Sequence, residues 1–171
     1  GIDVVPVPGA SAMLAALVAS GLAAEPFTFY GFLPRSGGDR ARRLMAVAQS
    51  PITSVLYEAP GRVVDTLLAV SERAGEDRPA VVARELTKLH EALRRGTLGE
   101  LAAYYSETPP KGEVVIVIAG APVPVLDESA LRDRALELRA EGHSVRDTAA
   151  ELAREFNAAR NLAYRVARGA E

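Results

Sequence analysis

Two clusters of acidic, basic and hydroxyl side chains stand directly behind apolar runs, and these are the places in the chain best equipped for chemistry. Thr53-Ser54-Val55-Leu56-Tyr57-Glu58 continues into Ala59-Pro60-Gly61-Arg62, and Ala80-Val81-Val82-Ala83 continues into Arg84-Glu85-Leu86-Thr87-Lys88, with Glu91 close behind. In open α/β sheets ligands bind beyond the strand ends, where loops turn backbone and side-chain polar groups toward a cleft. If the two runs are neighbouring strands, Glu58 and Glu85 form a carboxylate pair able to orient a ligand hydroxyl or accept its proton. The competing reading gives each a structural ion pair, with Arg62 or Arg84.

Three further features could bind a ligand. Pro8-Gly9-Ala10-Ser11 links a strand to a helix N-terminus, which offers unpaired amides and a hydroxyl, or is only a capped helix after a tight turn. Arg35, Arg40, Arg42 and Arg43 flank the loop Ser36-Gly37-Gly38. They read either as a phosphate-contacting lid or as a solvated helix face. Near the end, Arg160, Arg165 and Arg168 have no acidic neighbour before Glu171, whereas Glu141, Asp147, Glu151 and Glu155 make the preceding helix acidic. There is no cysteine, and His90 and His143 are too far apart in the chain for a metal-ligand spacing. Disulfides and thiolate metal sites are thereby excluded, and no metal is expected.

The elements that must position these groups follow from period and punctuation. Residues 2–7 read as a strand, Ser11 as the N-cap of a helix over 12–19, and Gly21 as its stop. A strand is predicted over 27–32, then a helix capped by Asp39 with Leu44, Val47 and Ala48 inward. The first cluster ends a strand over 52–58, and Pro60 opens a helix striped by Val63, Val64, Leu67, Leu68 and Val70. The second cluster ends a strand over 80–85, and 90–95 allows a further one before Thr97 caps a helix over 98–106. Val114-Val115-Ile116-Val117-Ile118 is apolar throughout, as a strand covered on both faces requires. This is an α/β layer fold of about five strands over 1–121. Ala121-Pro122-Val123-Pro124 ends it. The remainder, 125–171, is a small helical tail of helix-turn-helix appearance, with Asp127 and Ser144 as caps and a last helix over 158–167.

Bulk properties are those of an ordinary globular chain: 171 residues, 49% hydrophobic and 25% charged. A net charge of −2 is poor for a stand-alone nucleic-acid binder. No apolar run approaches the ~18 residues of a membrane span, so a cytoplasmic location is the default expectation. Gly1 leads straight into a buried-looking strand, which reads as an excised portion of a longer chain.

Five motifs in order carry a resemblance over roughly residues 1–120: Val7-Pro8-Gly9-Ala10-Ser11-Ala12, Gly31-Phe32-Leu33-Pro34, Tyr57-Glu58-Ala59-Pro60-Gly61-Arg62, Ala83-Arg84-Glu85-Leu86-Thr87-Lys88 and Lys111-Gly112-Glu113-Val114-Val115. Together they resemble the C-terminal half of the tetrapyrrole-methylase-like S-adenosylmethionine methyltransferases. The nearest branch methylates a cytidine 2′-hydroxyl of small-subunit ribosomal RNA, and the helical tail favours that branch over the porphyrin one. Gly61 departs from the family pattern, which has His there. The resemblance implies a mixed sheet and S-adenosylmethionine as cofactor, held around Pro8, Gly9, Ser11, Tyr57, Glu58, Ala83, Arg84 and Glu85. It makes Glu85 and Lys88 catalytic candidates, with Lys88 either holding an RNA phosphate or helping to deprotonate a ribose hydroxyl. Arg35, Arg40, Arg43, Arg62, Lys88, Arg160 and Arg165 are the RNA-binding candidates. Methyl transfer is a displacement at a sulfonium, catalysed mostly by alignment in a dry cleft, so no triad or metal is required. The implied partners are ribosomal RNA in the assembled small subunit, an N-terminal domain bearing the glycine-rich donor loop, and a second copy in a homodimer, with no membrane. Without that N-terminal domain the chain is expected to be inactive. Two alternatives remain: a domain of a precorrin or uroporphyrinogen methylase, and a non-catalytic module that binds nucleic acid or another partner.

Overall fold

An uninterrupted run of β-branched residues needs cover on both sides, and strand β5 (Val114–Ile118) has it: all of its residues are buried. In this computed structural model, which describes residues 8–122 and 127–169, β5 is the middle strand of a five-stranded sheet. The other strands are β1 (Phe27–Phe32), β2 (Thr53–Glu58), β3 (Pro79–Arg84) and β4 (Ala92–Thr97), in the order β1-β2-β5-β3-β4. β1 runs parallel to β2, while β5 is antiparallel to both of its neighbours and β4 is antiparallel to β3. The sheet is mixed, as the resemblance implies. The strand expected over 2–7 lies outside the described residues, as do Val123 and Pro124 of the punctuating segment.

The topology corrects one expectation. β2 and β3 are not adjacent; β5 separates them, and Glu58 and Arg84 both stand opposite Val114. The expected carboxylate pair therefore does not form.

The chain divides into two compact units, Gly1–Pro122 and Val123–Glu171. In the first, alternate residues of the sheet enter two separate cores. Leu56, Ala80, Val82, Val114, Ile116 and Ile118 pack under helices α2 (Gly37–Gln49), α3 (Val63–Ala74) and α4 (Leu98–Glu107). Val55, Val81, Ala83, Val115 and Val117 pack against Ala16 and Leu17 of α1 (Ala12–Ser20). The caps follow residue chemistry. Ser11 accepts from the Leu14 amide, Gly21 closes α1 at φ 78, and Thr97 and Glu100 form a reciprocal capping box. At α2 the N-cap is Ser36, not Asp39: Ser36 is extended, Gly37 already begins the helix, and Asp39 lies in the first turn, where a carboxylate suits the helix dipole.

The second unit holds α5 (Glu128–Ala140), α6 (Val145–Glu155) and α7 (Arg160–Arg168) around Leu131, Ala135, Leu138, Ala149, Leu152 and Ala163. Asp127 accepts from the Ser129 and Ala130 amides, and Ser144 from that of Asp147. Gly142 (φ 90) stops α5, and Asn157 (φ 49) takes the left-handed position between α6 and α7. Among the described residues no helix is long and apolar enough to cross a membrane.

Candidate active site at the strand ends

Where β2 ends and β5 begins, a cavity of about 480 Å³ opens, lined by Ala12, Phe32, Tyr57, Pro60, Gly112 and Val115 among others. That size lies within the range of small-molecule sites, which are mostly apolar with a few placed polar groups. Tyr57 is clasped by two aromatic rings, with Phe29 edge-on at 4.9 Å and Phe32 tilted at 5.6 Å. Phe32 is nevertheless 63% exposed. An aromatic wall of this kind suits a flat heterocycle.

Glu58 lines the same cavity, but its carboxylate is turned inward and fully engaged. The Thr66 hydroxyl donates to Oε2 at 2.7 Å, the Ala59 amide donates to Oε1 at 2.9 Å, and Arg62 Nε lies 3.3 Å from Oε1. Arg62 also donates to the carbonyls of Leu33 and Pro34, while Arg40 donates to Pro34 and to the Thr66 hydroxyl. The buried charge is thus compensated by several donors, and the network ties the exit of β1 to the exit of β2. Thr66, on α3, is a member that sequence reading missed; only its place one helical turn beyond Arg62 hints at it.

The segment after β3 is bent sharply. Glu85 (φ 48) and Thr87 (φ 64) are both non-glycine residues in the left-handed region. Such positions cost ~1–3 kcal/mol each and cluster at functional sites. The bend is held by reciprocal bonds: the Glu85 amide donates to the Glu113 carbonyl at 2.9 Å, and the Glu113 amide donates to Glu85 Oε1 at 2.8 Å. Glu91 Oε2 accepts from the Thr87 amide at 2.6 Å. Lys88 Nζ lies 3.1 Å from Glu85 and 3.2 Å from Glu113. The Glu113 amide, followed by the Lys88 ammonium, holds the Glu85 carboxyl below its ordinary range. Hydrogen bonds to Glu85 and Glu113 raise Lys88. In this arrangement Lys88 keeps its proton and Glu85 stays ionised, so the pair is a placed charge cluster and neither is a ready base.

The other candidates fall in different places. Ala83 is buried in the sheet core. Arg84 lines a separate concavity of about 190 Å³ with Arg94, Tyr104 and Tyr105. There Arg94 stacks 3.3 Å over the Tyr104 ring, and burial pushes the Tyr105 hydroxyl up. Pro8 and Gly9 are exposed ahead of α1, whose first residue, Ala12, reaches the cavity. Among the RNA-binding candidates, Arg40 and Arg62 spend their donors inside the protein, and Arg43 donates to the Tyr30 carbonyl at 3.3 Å. Arg35 is exposed and makes no ion pair among the described residues. Gly112, Glu113 and Phe32 also line the cavity. Their motifs were legible in the sequence, but their place at the site was not.

This mixed sheet with a cavity at its strand ends defines a class. Residues 1–102 match the family model of Tetrapyrrole (Corrin/Porphyrin) Methylases, and the chain belongs to that family. Its fold is also that of a cobalt precorrin-4 methyltransferase of cobalamin biosynthesis, with TM-score 0.54 and 21% identity over 69% of this chain and 52% of that one. Closer in sequence are proteins named ribosomal RNA small subunit methyltransferase I. The Synechocystis sp. protein is 46% identical over 144 residues, 82% of this chain and 52% of the relative. The Mesorhizobium japonicum protein is 47% identical over 137 residues, 80% of this chain and 46% of the relative. The chain spans about half the length of the curated relatives it matches.

Proposed function

We propose that this chain is the C-terminal part of an S-adenosylmethionine-dependent methyltransferase acting on a cytidine 2′-hydroxyl of small-subunit ribosomal RNA. The observation that carries the reading is the aromatic-walled cavity at the β2 and β5 ends, bordered by the Gly112-Glu113 segment to which Glu85 is bonded. Similarity to the rRNA methyltransferases, at 46–47% identity against 21% for the precorrin enzyme, favours RNA over a tetrapyrrole.

The residues present fit the cofactor. Phe32 and Tyr57 offer a flat apolar wall to an adenine ring, and the cavity has the volume of a small-molecule site. When bound, S-adenosylmethionine supplies an electrophilic methyl group on a sulfonium. Tyr57 and Phe32 orient the base, Glu58 holds the wall rigid through Thr66 and Arg62, and the ordered bend at Glu85 shapes the rim. The Lys88 ammonium, kept protonated between Glu85 and Glu113, holds that rim in place and does not take up the hydroxyl proton. Arg35 and the α7 arginines Arg160 and Arg165 add RNA contacts. An N-terminal domain, a homodimeric assembly and a cytoplasmic location complete the proposal.

Calorimetric titration of S-adenosylhomocysteine into this chain, and into the chain extended by the N-terminal domain of its natural gene, tests it. Tight binding only in the extended protein is expected, followed by methylation of small ribosomal subunits and not of uroporphyrinogen. Absence of binding in both proteins overturns the methyltransferase reading.

A further inference from the structure

Helix α7 sorts its residues by chemistry. Leu162, Ala163, Val166 and Ala167 turn inward, while Arg160, Asn161, Tyr164, Arg165 and Arg168 are exposed, and no carboxylate stands on the helix. Across from it, α6 contributes a face free of acid: Arg146, Ala149, Ala150 and Ala153. These four, with Arg160 and Tyr164, line a concavity of about 550 Å³. The Tyr164 ring also borders a second hollow, lined by Asn161, Arg165 and Arg168. It is 43% exposed there, large for a tyrosine whose only task is packing.

The charges are distributed unevenly. Elsewhere in this unit Arg134 is neutralised by Glu137 and Glu155, Arg154 by Glu151 and Arg132 by Glu128, while Arg139, away from the groove, donates to the His143 carbonyl. Arg165 approaches Glu128 at 3.7 Å. Arg146, Arg160 and Arg168 make no ion pair or hydrogen bond among the described residues. The acids of α6 thus serve α5 or α6 itself, and the groove between α6 and α7 keeps a positive charge that the net composition of the chain conceals.

An occupant that uses both the guanidinium groups and the ring must carry closely spaced anions with an accessible flat face between them. A nucleic-acid duplex offers phosphates but keeps its bases stacked away, and an acidic peptide offers anions without a flat face. A single-stranded segment offers both, because its unstacked bases pair with aromatic side chains while arginines follow the backbone. The geometry points to a binding site for one unpaired RNA nucleotide, its base on Tyr164 over the alanine floor and its flanking phosphates on Arg146 and Arg160. The choice of RNA over DNA rests on the proposed function; the stacking site itself does not.

Fluorescence anisotropy with the 171-residue chain tests this, using a short unstructured RNA, its single-stranded DNA equivalent and an RNA duplex. Single-stranded RNA is expected to bind most tightly. Tyr164→Ala should weaken it about tenfold, as loss of one stacked base requires, while Tyr164→Phe retains affinity. Arg146→Gln and Arg160→Gln should each reduce the logarithmic salt slope by about one, and the ion-paired Arg154→Gln should leave it unchanged. Melting temperatures equal to that of the parent chain establish that these surface variants fold. No RNA binding by the parent chain, equal binding of the duplex, wild-type affinity in Tyr164→Ala, or displacement of the RNA by polyglutamate overturns the site; equal binding of single-stranded DNA overturns RNA as its occupant. Methyl transfer by the N-terminally extended protein is read separately. If it proceeds while the Tyr164 and arginine variants bind RNA normally, this inference fails together with the RNA contact proposed for Arg160, and the methyltransferase reading stands.

Discussion

Gly112 has no side chain because the Glu85 carboxylate occupies the space one would fill. A Cβ at Gly112 would lie 2.2 Å from Glu85 Oε1 and 2.4 Å from its Cδ. Gly112 is also at φ 82 and Glu85 at φ 48, so two left-handed residues on separate segments brace one another. The amide of Glu113, the next residue, completes the contact with a bond to Glu85. The entry to β5 and the exit of β3 are thereby locked together beside the cavity.

Gly112→Ala should therefore lower the melting temperature by several degrees. A left-handed alanine costs ~1–2 kcal/mol before any displacement of Glu85 is counted. Because the clash is with that carboxylate, Glu85→Ala in the same chain should recover part of the loss. Strict additivity in the double-mutant cycle would show that the two residues do not touch.

Removing the Thr66 hydroxyl leaves a buried carboxylate short of one donor. Thr66→Val keeps the shape and should cost ~1.5–3 kcal/mol, the range for a hydrogen bond to a charged group, whereas Thr66→Ser should cost less. Urea unfolding of both variants measures this, and equal stabilities would mean that the Thr66 bond to Glu58 contributes nothing.

The Glu85–Lys88–Glu113 cluster sets a pH window. Glu85 is held below its ordinary value, so its contribution is present above the unfolded carboxylate range and fades as pH falls through the depressed value. Lys88 is raised, so its contribution is present below the ordinary lysine range and fades as pH rises through the raised value. The stability difference between the parent chain and Lys88→Met should accordingly be flat around neutrality and shrink at both extremes. A difference independent of pH would remove the ion pair as its source.

The family departure at Gly61 should be structurally silent. The residue is exposed in the turn Pro60–Arg62, and a Cβ there meets nothing within 4 Å. Gly61→His should change stability by no more than ~0.5 kcal/mol in thermal unfolding.

The arginines proposed as RNA contacts should separate by assay. Arg62→Gln breaks bonds to Glu58, Leu33 and Pro34 and should lower the melting temperature. Arg35→Gln should leave stability unchanged and weaken the proposed rRNA methylation by the extended protein. A reversed pattern would return Arg62 to the RNA-facing surface.

Local chemistry was legible in the sequence. The apolar run 114–118 announced a strand buried on both faces, Thr97 with Glu100 a helix start, Gly21 a helix stop, and Ser144 and Asp127 the caps of the tail, because period and capping depend on residues a few positions apart. The strand expected over 90–95 is found at Ala92–Thr97, displaced by two residues. Of the two motif segments expected at the site, Tyr57-Glu58 lines the cavity, while Arg84 lines a separate concavity.

What tertiary structure alone decided is which of these polar groups meet. By itself the sequence determined that Glu58, Glu85, Arg62 and Arg40 stand at strand or helix ends, since alternation and breakers settle that within each segment. It could not determine that β5 threads between β2 and β3, since register and strand order are chosen by burial summed over distant segments. That one insertion separates the two carboxylates and brings Gly112 and Glu113 to Glu85, whereas Glu58 keeps the ion pair with Arg62, four residues on, that the sequence also offered. A charged side chain's role is set by the partner it can reach within about 3 Å, and that distance is a property of the folded chain.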